Sequence, residues 1–151
     1  RWDRLTRAGT GEDAFPTTYT DYFDMPFESL GDPPAASQLL GAFAFTRAAQ
    51  IPADFSGAPD GRPFAVGWQV TAPADGAVTI TVKRGTVGAS VGSEVTIGTI
   101  TVAQTTGLWT WLTTGNLPQA FDAEDYVKFY APVTPDSAWS DIFWTVPGDV
   151  L

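Results

Sequence analysis

The sequence predicts an all-β protein, an antiparallel, jelly-roll-like β-sandwich of about seven or eight strands with an extended N-terminal arm. Three observations support this fold class. Apolar and polar residues alternate over short stretches, which is typical of strands buried on one side. Turn-forming residues separate these stretches, with 12 Pro and 15 Gly spread through 151 residues. No stretch carries the pattern of a long helix.

Residues 1–37 have poor periodicity and are predicted to form an extended arm for assembly or anchoring, while residues 38–151 form the sandwich domain. The arm is too aromatic for a solvated linker, so we expect it to pack on its own sandwich, on a sister subunit or on a larger assembly. Its arginines make a basic tip that either docks on an acidic partner or stays solvated. The candidate assembly contacts are Arg1, Trp2, Arg4, Arg7, Phe15, Tyr19, Tyr22, Phe23 and Phe27.

The first strands of the sandwich are predicted at residues 38–46, 64–71 and 77–84. The turn at residues 72–76, Ala-Pro-Ala-Asp-Gly, separates the last two and predicts a hairpin between them. The residues of the first strand that share one face are Leu39, Gly41, Phe43 and Phe45.

Residues 95–102 predict a strand whose apolar residues change phase. Val95 and Ile97 occupy odd positions, whereas Ile100 and Val102 occupy even ones. One extra residue at Gly98 would restore a continuous apolar face, and glycine is common in bulges. We therefore expect a β-bulge at this glycine, followed by a further strand in residues 108–113.

The last two strands organise the chain and are separated by a loop with prolines at 132 and 135. Proline cannot donate to a strand ladder, so this loop is expected to cross between strands rather than to form a tight hairpin. The final strand is expected to stop at Pro147-Gly148. The residues that share the apolar faces of the pair are Val127, Phe129, Ala131, Ile142, Trp144 and Val146.

Composition excludes several kinds of chemistry. The chain has no Cys and no His, which excludes thiol nucleophiles, imidazole bases and the usual zinc and copper ligand sets. Its formal net charge of -9 argues against phosphate-mediated binding of nucleic acid. No apolar stretch is long enough for a membrane-spanning helix, and the N-terminal residues lack the apolar segment of a signal peptide. We expect no cofactor and no membrane insertion.

Paired carboxylates are the remaining candidates for catalysis. Asp122, Glu124 and Asp125 lie in one turn, and Asp54 and Asp60 in another. Acids within one short turn do not face each other across a cleft as a glycosidase pair does. They are interpreted as solvated or capping acids, and the chain is predicted not to be an enzyme. A calcium site in the first turn is the alternative, because calcium takes loop oxygens as ligands.

Two tryptophans are the candidate contacts for a glycan. Trp109 and Trp111 share one strand face, and Tyr126 and Tyr130 could extend the same aromatic platform. The alternative is that the two tryptophans face the core. A carbohydrate-binding module is therefore kept as a second class of function.

The sequence from Phe64 to Gly148 resembles a β-sandwich module of tailed-bacteriophage virion proteins. The resemblance is carried by TITVKRGTVG, IGTITV, GLWTWLT, FDAEDYVKFYAP and DSAWSDIFWTVPG. The family turn often has Gly-Asp where this chain has Glu124-Asp125, which suggests a turn that does not need a positive φ.

The resemblance implies a non-enzymatic structural protein of the virion, located on the extracellular particle and contacting other virion proteins. It implies a homotrimer or another symmetric homo-oligomer and favours a tail, fibre or baseplate component in particle assembly, host-surface attachment or both. A head-stabilising capsid decoration protein is the alternative. A host-surface glycan is a further candidate partner.

Overall fold

The computed structural model describes residues 22–51, 66–102, 109–112 and 118–151, and for residues 22, 66–68, 70 and 109–112 only the backbone. Apart from one 3-10 turn, Val91–Ser93, the regular elements in these ranges are strands. None of the helices described there is long and apolar enough to span a membrane. The strands are β1 Tyr22–Ser29, β2 Leu39–Ala44, β3 Ala49–Ile51, β4 Val66–Thr71, β5 Val78–Thr86, β6 Val95–Val102, β7 Trp109–Leu112, β8 Gln119–Phe121, β9 Asp125–Tyr130 and β10 Ser140–Val150.

The strands form two antiparallel sheets whose apolar faces meet. The first sheet has the order β1-β10-β3-β8, and β4 also pairs with β10. The second sheet has the order β2-β9-β5-β6-β7. The chain changes sheets repeatedly, and among the described strands only β5, β6 and β7 follow one another as a meander within one sheet. The predicted all-β antiparallel sandwich is confirmed.

The core lies between the two sheets and is rich in aromatic residues. Phe27 of β1 stacks on Phe129 of β9 with ring centroids 4.8 Å apart, and Phe45 stacks on Phe121 at 4.4 Å. Each large apolar side chain buried in this way stabilises the fold by about 1.5–3 kcal/mol. The other large side chains that are almost fully buried include Trp139, Trp144, Met25, Ile51, Ile80, Ile100 and Ile142.

Part of the predicted arm belongs to the sandwich. β1 pairs with β10 along its whole length, from Tyr22 opposite Asp149 to Ser29 opposite Ile142. Met25 alternates with exposed neighbours and is completely buried. Proline at position 26 is tolerated because β1 lies at the edge of its sheet, where one side of the strand needs no ladder donor. Residues 22–29, which the sequence assigned to an arm ending at residue 37, therefore belong to the sandwich.

The turn at residues 72–76 does not close a hairpin. β4 pairs with β10 in the first sheet, whereas β5 pairs with β6 and β9 in the second. The predicted β4–β5 hairpin is thus wrong, and the turn crosses between the sheets. The loop between β9 and β10 also crosses between the sheets, as its prolines predicted.

The last strand does not stop at Pro147-Gly148 but continues to Val150. On one side β10 pairs with β1 from Ile142 to Asp149; on the other it pairs with β4 up to Thr145 and with β3 from Asp149. The proline thus lies where β10 changes partners on that side, a position at which the loss of an N–H donor costs little.

Two irregularities adjust the phase of the apolar residues. In the β5–β6 ladder Val82 faces Gly98 and Lys83 faces Thr96, which confirms the predicted bulge next to Gly98. A second register shift, not predicted, lies between Leu39 and Gly41 in the β2–β9 ladder. It turns Leu40 into the core and leaves Leu39 47% exposed, so the predicted common face of β2 is wrong at its first residue.

Candidate functional site

The outer face of the second sheet carries a cluster of polar side chains around one carboxylate. Glu94 follows the 3-10 turn, and its side chain is 4% exposed. Its carboxylate accepts hydrogen bonds from Tyr126 Oη at 2.7 Å, Lys128 Nζ at 2.7 Å and Tyr130 Oη at 3.0 Å. These four residues are called the Glu94 cluster. They fasten the loop between β5 and β6 to the middle of the sheet.

The Glu94 cluster perturbs the pKa of each of its members. Burial alone would raise the pKa of Glu94, but the hydrogen bonds from Lys128, Tyr126 and Tyr130 outweigh it and hold the pKa below its ordinary value. The hydrogen bond to Glu94 raises the pKa of Lys128 and of Tyr126. Burial, reinforced by the same carboxylate, raises the pKa of Tyr130. The cluster therefore holds a charged pair flanked by two neutral phenols at neutral pH.

The two candidate tyrosines lie on the outer face, as the alternation in β9 predicted, but neither presents a free ring. Lys128 Nζ lies 4.8 Å from the ring centroid of Tyr126, and Lys83 Nζ lies 5.3 Å from that of Tyr130. Both hydroxyl groups bind Glu94. The tyrosines thus contribute to a polar surface and not to an open aromatic platform.

The two candidate tryptophans lie in β7, at the edge of the second sheet. Their backbone pairs Trp109 with Val102 and Trp111 with Ile100, and their side chains are outside the described part. Two strands, β5 and β6, separate β7 from β9. That separation is about 14 Å between strand axes, so tryptophans and tyrosines are not neighbours on adjacent strands.

The acidic turn before β9 is built around Asp125, which is buried. Its carboxylate accepts hydrogen bonds from Arg84 Nη2 at 2.6 Å, Thr86 Oγ1 at 3.0 Å and the Asp122 N–H at 2.9 Å. Burial alone would raise the pKa of Asp125, but the hydrogen bonds from Asp122 and Thr86 and the Arg84 charge lower it overall. This acid is therefore a structural acid and not a solvated one.

The same turn does adopt a positive φ, because Glu124 has φ +74°. The expectation that Glu-Asp avoids this conformation is wrong: Glu124 occupies the position where glycine is usual. Its backbone N–H donates to Phe45 O, and its carbonyl accepts from the Val87 N–H, both at 2.8 Å, which fixes the strained residue from both sides.

No set of three metal-ligating side chains occurs within the described ranges, including the turn that was the calcium alternative. The other acidic pair, Asp54 and Asp60, lies outside those ranges.

Asp136 performs a similar structural role at the two sheet crossings. This buried carboxylate accepts backbone N–H groups of Ala74 at 3.0 Å, Asp75 at 2.8 Å, Ala138 at 2.9 Å and Trp139 at 3.0 Å. Burial alone would raise the pKa of Asp136, but these N–H donors hold it below its ordinary value. Asp136 therefore ties the turn before β5 to the loop before β10.

A groove of about 410 Å³ lies beside this connection, on the outer face of the second sheet. Its floor includes the outward-facing Thr79 and Thr81 of β5, and one wall is the segment 132–136. Asp75 also lines the groove, and its Oδ2 accepts the Ser137 N–H at 3.0 Å. We call this cavity the threonine groove.

A second groove of about 410 Å³ lies between the edge strands β1 and β2. Phe23, Phe43 and Phe45 line it, and Arg47 stands at its rim. Phe23 stacks on Phe43 with centroids 5.3 Å apart, and both remain partly exposed. We call this cavity the phenylalanine groove.

The candidate assembly contacts fall into four groups. Phe23 lines the phenylalanine groove and is partly exposed. Phe27 is 1% exposed and stacks on Phe129 in the core, so its assignment as an assembly contact is wrong. Tyr22 is described by its backbone alone, opposite Asp149. The candidates outside the described ranges are Arg1, Trp2, Arg4, Arg7, Phe15 and Tyr19.

Glu94, Asp75 and Asp136 were not identified as site residues from the sequence. Asp136 has a local signal, because an Asp in Pro-Asp-Ser commonly accepts N–H groups two or three residues ahead. Glu94 has none, because its partners are more than 30 residues away in the chain.

The described residues define a β-sandwich with open grooves, whose buried carboxylates accept hydrogen bonds from the chain itself. No family model, no curated protein and no solved structure matches it.

Proposed function

We propose that this chain is a non-enzymatic structural component of a tailed-bacteriophage virion. Its sandwich would act through surface contacts in particle assembly, in host-surface attachment or in both, as a part of the tail, fibre or baseplate. The sequence motifs between Phe64 and Gly148 supply the resemblance to such modules. Function by contact needs exposed surfaces of defined chemistry, and the two grooves are the candidates for them.

The observation that carries the proposal is the phenylalanine groove. Three phenylalanines meet at the edge of the sandwich, in a chain whose net charge is -9. A contiguous apolar surface with a polar rim is typical of a protein-protein contact. Arg47 at this rim would suit an acidic residue of the partner. We assign the groove to contact with a neighbouring virion subunit, a second copy of this chain being the simplest one.

The mass of the purified full chain in solution tests the assembly role. We expect a symmetric homo-oligomer, with a trimer as the leading stoichiometry, in light scattering coupled to size-exclusion chromatography. Arg47→Glu changes the exposed rim without touching the core, and it should shift the distribution toward monomer at unchanged melting temperature. Asp32→Lys, a charge reversal of the same size at an exposed loop residue that does not line the groove, is the matched control.

A deletion tests the proposed arm and must end before β1. Removing residues 1–20 should lower the oligomer mass if the aromatic and basic residues there contact a neighbour. A full-length monomer at every concentration, together with a deletion that leaves mass and melting unchanged, would refute the assembly role.

A further inference from the structure

We infer that the threonine groove is a binding site for a neutral oligosaccharide. The inference deepens the host-attachment part of the proposed function and rests on it for its biological role. The site differs from the one that the sequence suggested, because it lies on β5 and the crossing loops and not on the tryptophans of β7.

The frame of the groove is rigid before any ligand arrives. Asp136 accepts four backbone N–H groups from the two loops that border the groove. In return Asp75, in the turn before β5, accepts the N–H of Ser137, in the loop before β10. Both loops are thereby held at fixed positions over the end of the sheet. A preformed site loses less conformational entropy on binding than a site made of independent loops.

The lining offers the two kinds of contact that a sugar ring needs. Thr79, Thr81 and Thr134 line the groove with side chains that carry hydroxyl groups, and none of them has a side-chain hydrogen bond to another described residue. Hydroxyl groups both donate and accept, which matches the paired hydroxyls of a sugar. Pro132 and Val133 add an apolar wall, and Val133 is 75% exposed. That wall suits the C–H face of the ring.

The charge of the groove selects among glycans. Its charged lining residues in the described part are Asp75 and Asp136, and no cation lines it there. The whole chain has a net charge of -9. Sialylated, sulfated or phosphorylated glycans would be repelled, whereas an uncharged glycan can donate hydroxyl hydrogens to Asp75. The volume of about 410 Å³ lies within the range of small-ligand sites.

Glycan binding by the intact chain tests the inference directly. The probes are immobilised maltotriose, lactose and the β-1,4-linked N-acetylglucosamine trimer, with sialyllactose as the anionic comparison, followed by titration calorimetry of any hit. We expect at least one neutral probe to bind and sialyllactose not to bind. The double variant Thr79→Val, Thr81→Val should weaken binding by about tenfold or more, because two hydrogen-bonding groups are lost.

Valine keeps the shape of threonine and favours strands, so the double variant should fold, as its melting temperature will show. Thr145→Val, on the outer face of the other sheet, is the control and should leave binding unchanged. Three outcomes would overturn the inference: no neutral probe binds, the anionic probe binds equally well, or binding is lost in Trp109→Ala, Trp111→Ala and kept in the threonine variant. The assembly measurements do not depend on this result, so the two proposals can fail separately.

Discussion

Replacing Asp136 with asparagine removes one hydrogen bond and puts a donor where the lost acceptor stood. In the folded protein Oδ1 of Asp136 accepts three backbone N–H groups and Oδ2 accepts the fourth, from Asp75. The asparagine oxygen can keep the three bonds, but its amide then points an N–H at the Asp75 N–H. An unsatisfied donor in a buried place costs about 1–3 kcal/mol, so we expect the variant to lose about 2 kcal/mol of unfolding free energy.

Chemical denaturation at pH 7 measures this loss, and a thermal melt should show a fall of about 6 °C for a chain of this size. The pH dependence provides a second signature. The pKa of Asp136 is depressed in the folded state, so its stabilisation is present above about pH 4 and is lost as the pH falls through the folded pKa. The difference between wild type and Asp136→Asn should therefore shrink in acid.

Asp32→Asn is the matched control, because it removes the same charge from an exposed loop. It should change the unfolding free energy by less than about 0.5 kcal/mol. If Asp136→Asn behaves like this control at pH 7, or if its deficit is constant down to pH 3, the N–H donors do not hold the carboxylate in the way described.

Two further substitutions test the backbone. Gly41→Ala places a Cβ 2.5 Å from the Pro26 carbonyl oxygen and should lower the unfolding free energy by about 1–3 kcal/mol in a denaturation curve. The control is Gly92→Ala, which has nothing within 4 Å of the added Cβ and should stay within about 0.5 kcal/mol of wild type. Equal effects of the two substitutions would contradict the close approach of β1 and β2. Glu124→Gly relieves a left-handed φ and should raise stability by about 0.5 kcal/mol, since a relief of about 1–2 kcal/mol is partly offset by backbone entropy. Ala123→Gly in the same turn should instead lower the melting temperature.

Much of the fold could be predicted from the sequence because strand alternation is a local property. In β9 the buried Val127 and Phe129 alternate with the half-buried Tyr126 and Tyr130, as the sequence pattern indicated. The phase change in β6 predicted the bulge at Gly98 for the same reason. Each of these features depends on residues within one strand.

The errors concern which strands pair with each other, and pairing depends on residues that are distant in the chain. Ala-Asp-Gly is a good hairpin turn locally, yet Asp136 binds this turn from 61 residues away and the flanking strands enter different sheets. Pro147 ends a strand in most contexts, but here β10 keeps β1 as a partner beyond it. The Glu94 cluster could not be predicted for the same reason, because a Gly-rich loop gives no local sign of the sheet face on which it lies.

The buried carboxylates also explain how loops are fixed in a chain without disulfides. The sequence has no Cys, so no disulfide closes its loops. A carboxylate can accept several N–H or O–H donors at once, and Asp125, Asp136 and Glu94 each bind three or four. An acid whose oxygens are occupied in this way, and whose pKa is lowered, is a poor proton acceptor for a substrate. The hydrogen bonds that position the loops thus make these acids unsuitable as general bases. This arrangement favours a role in which the grooves bordered by those loops act by binding.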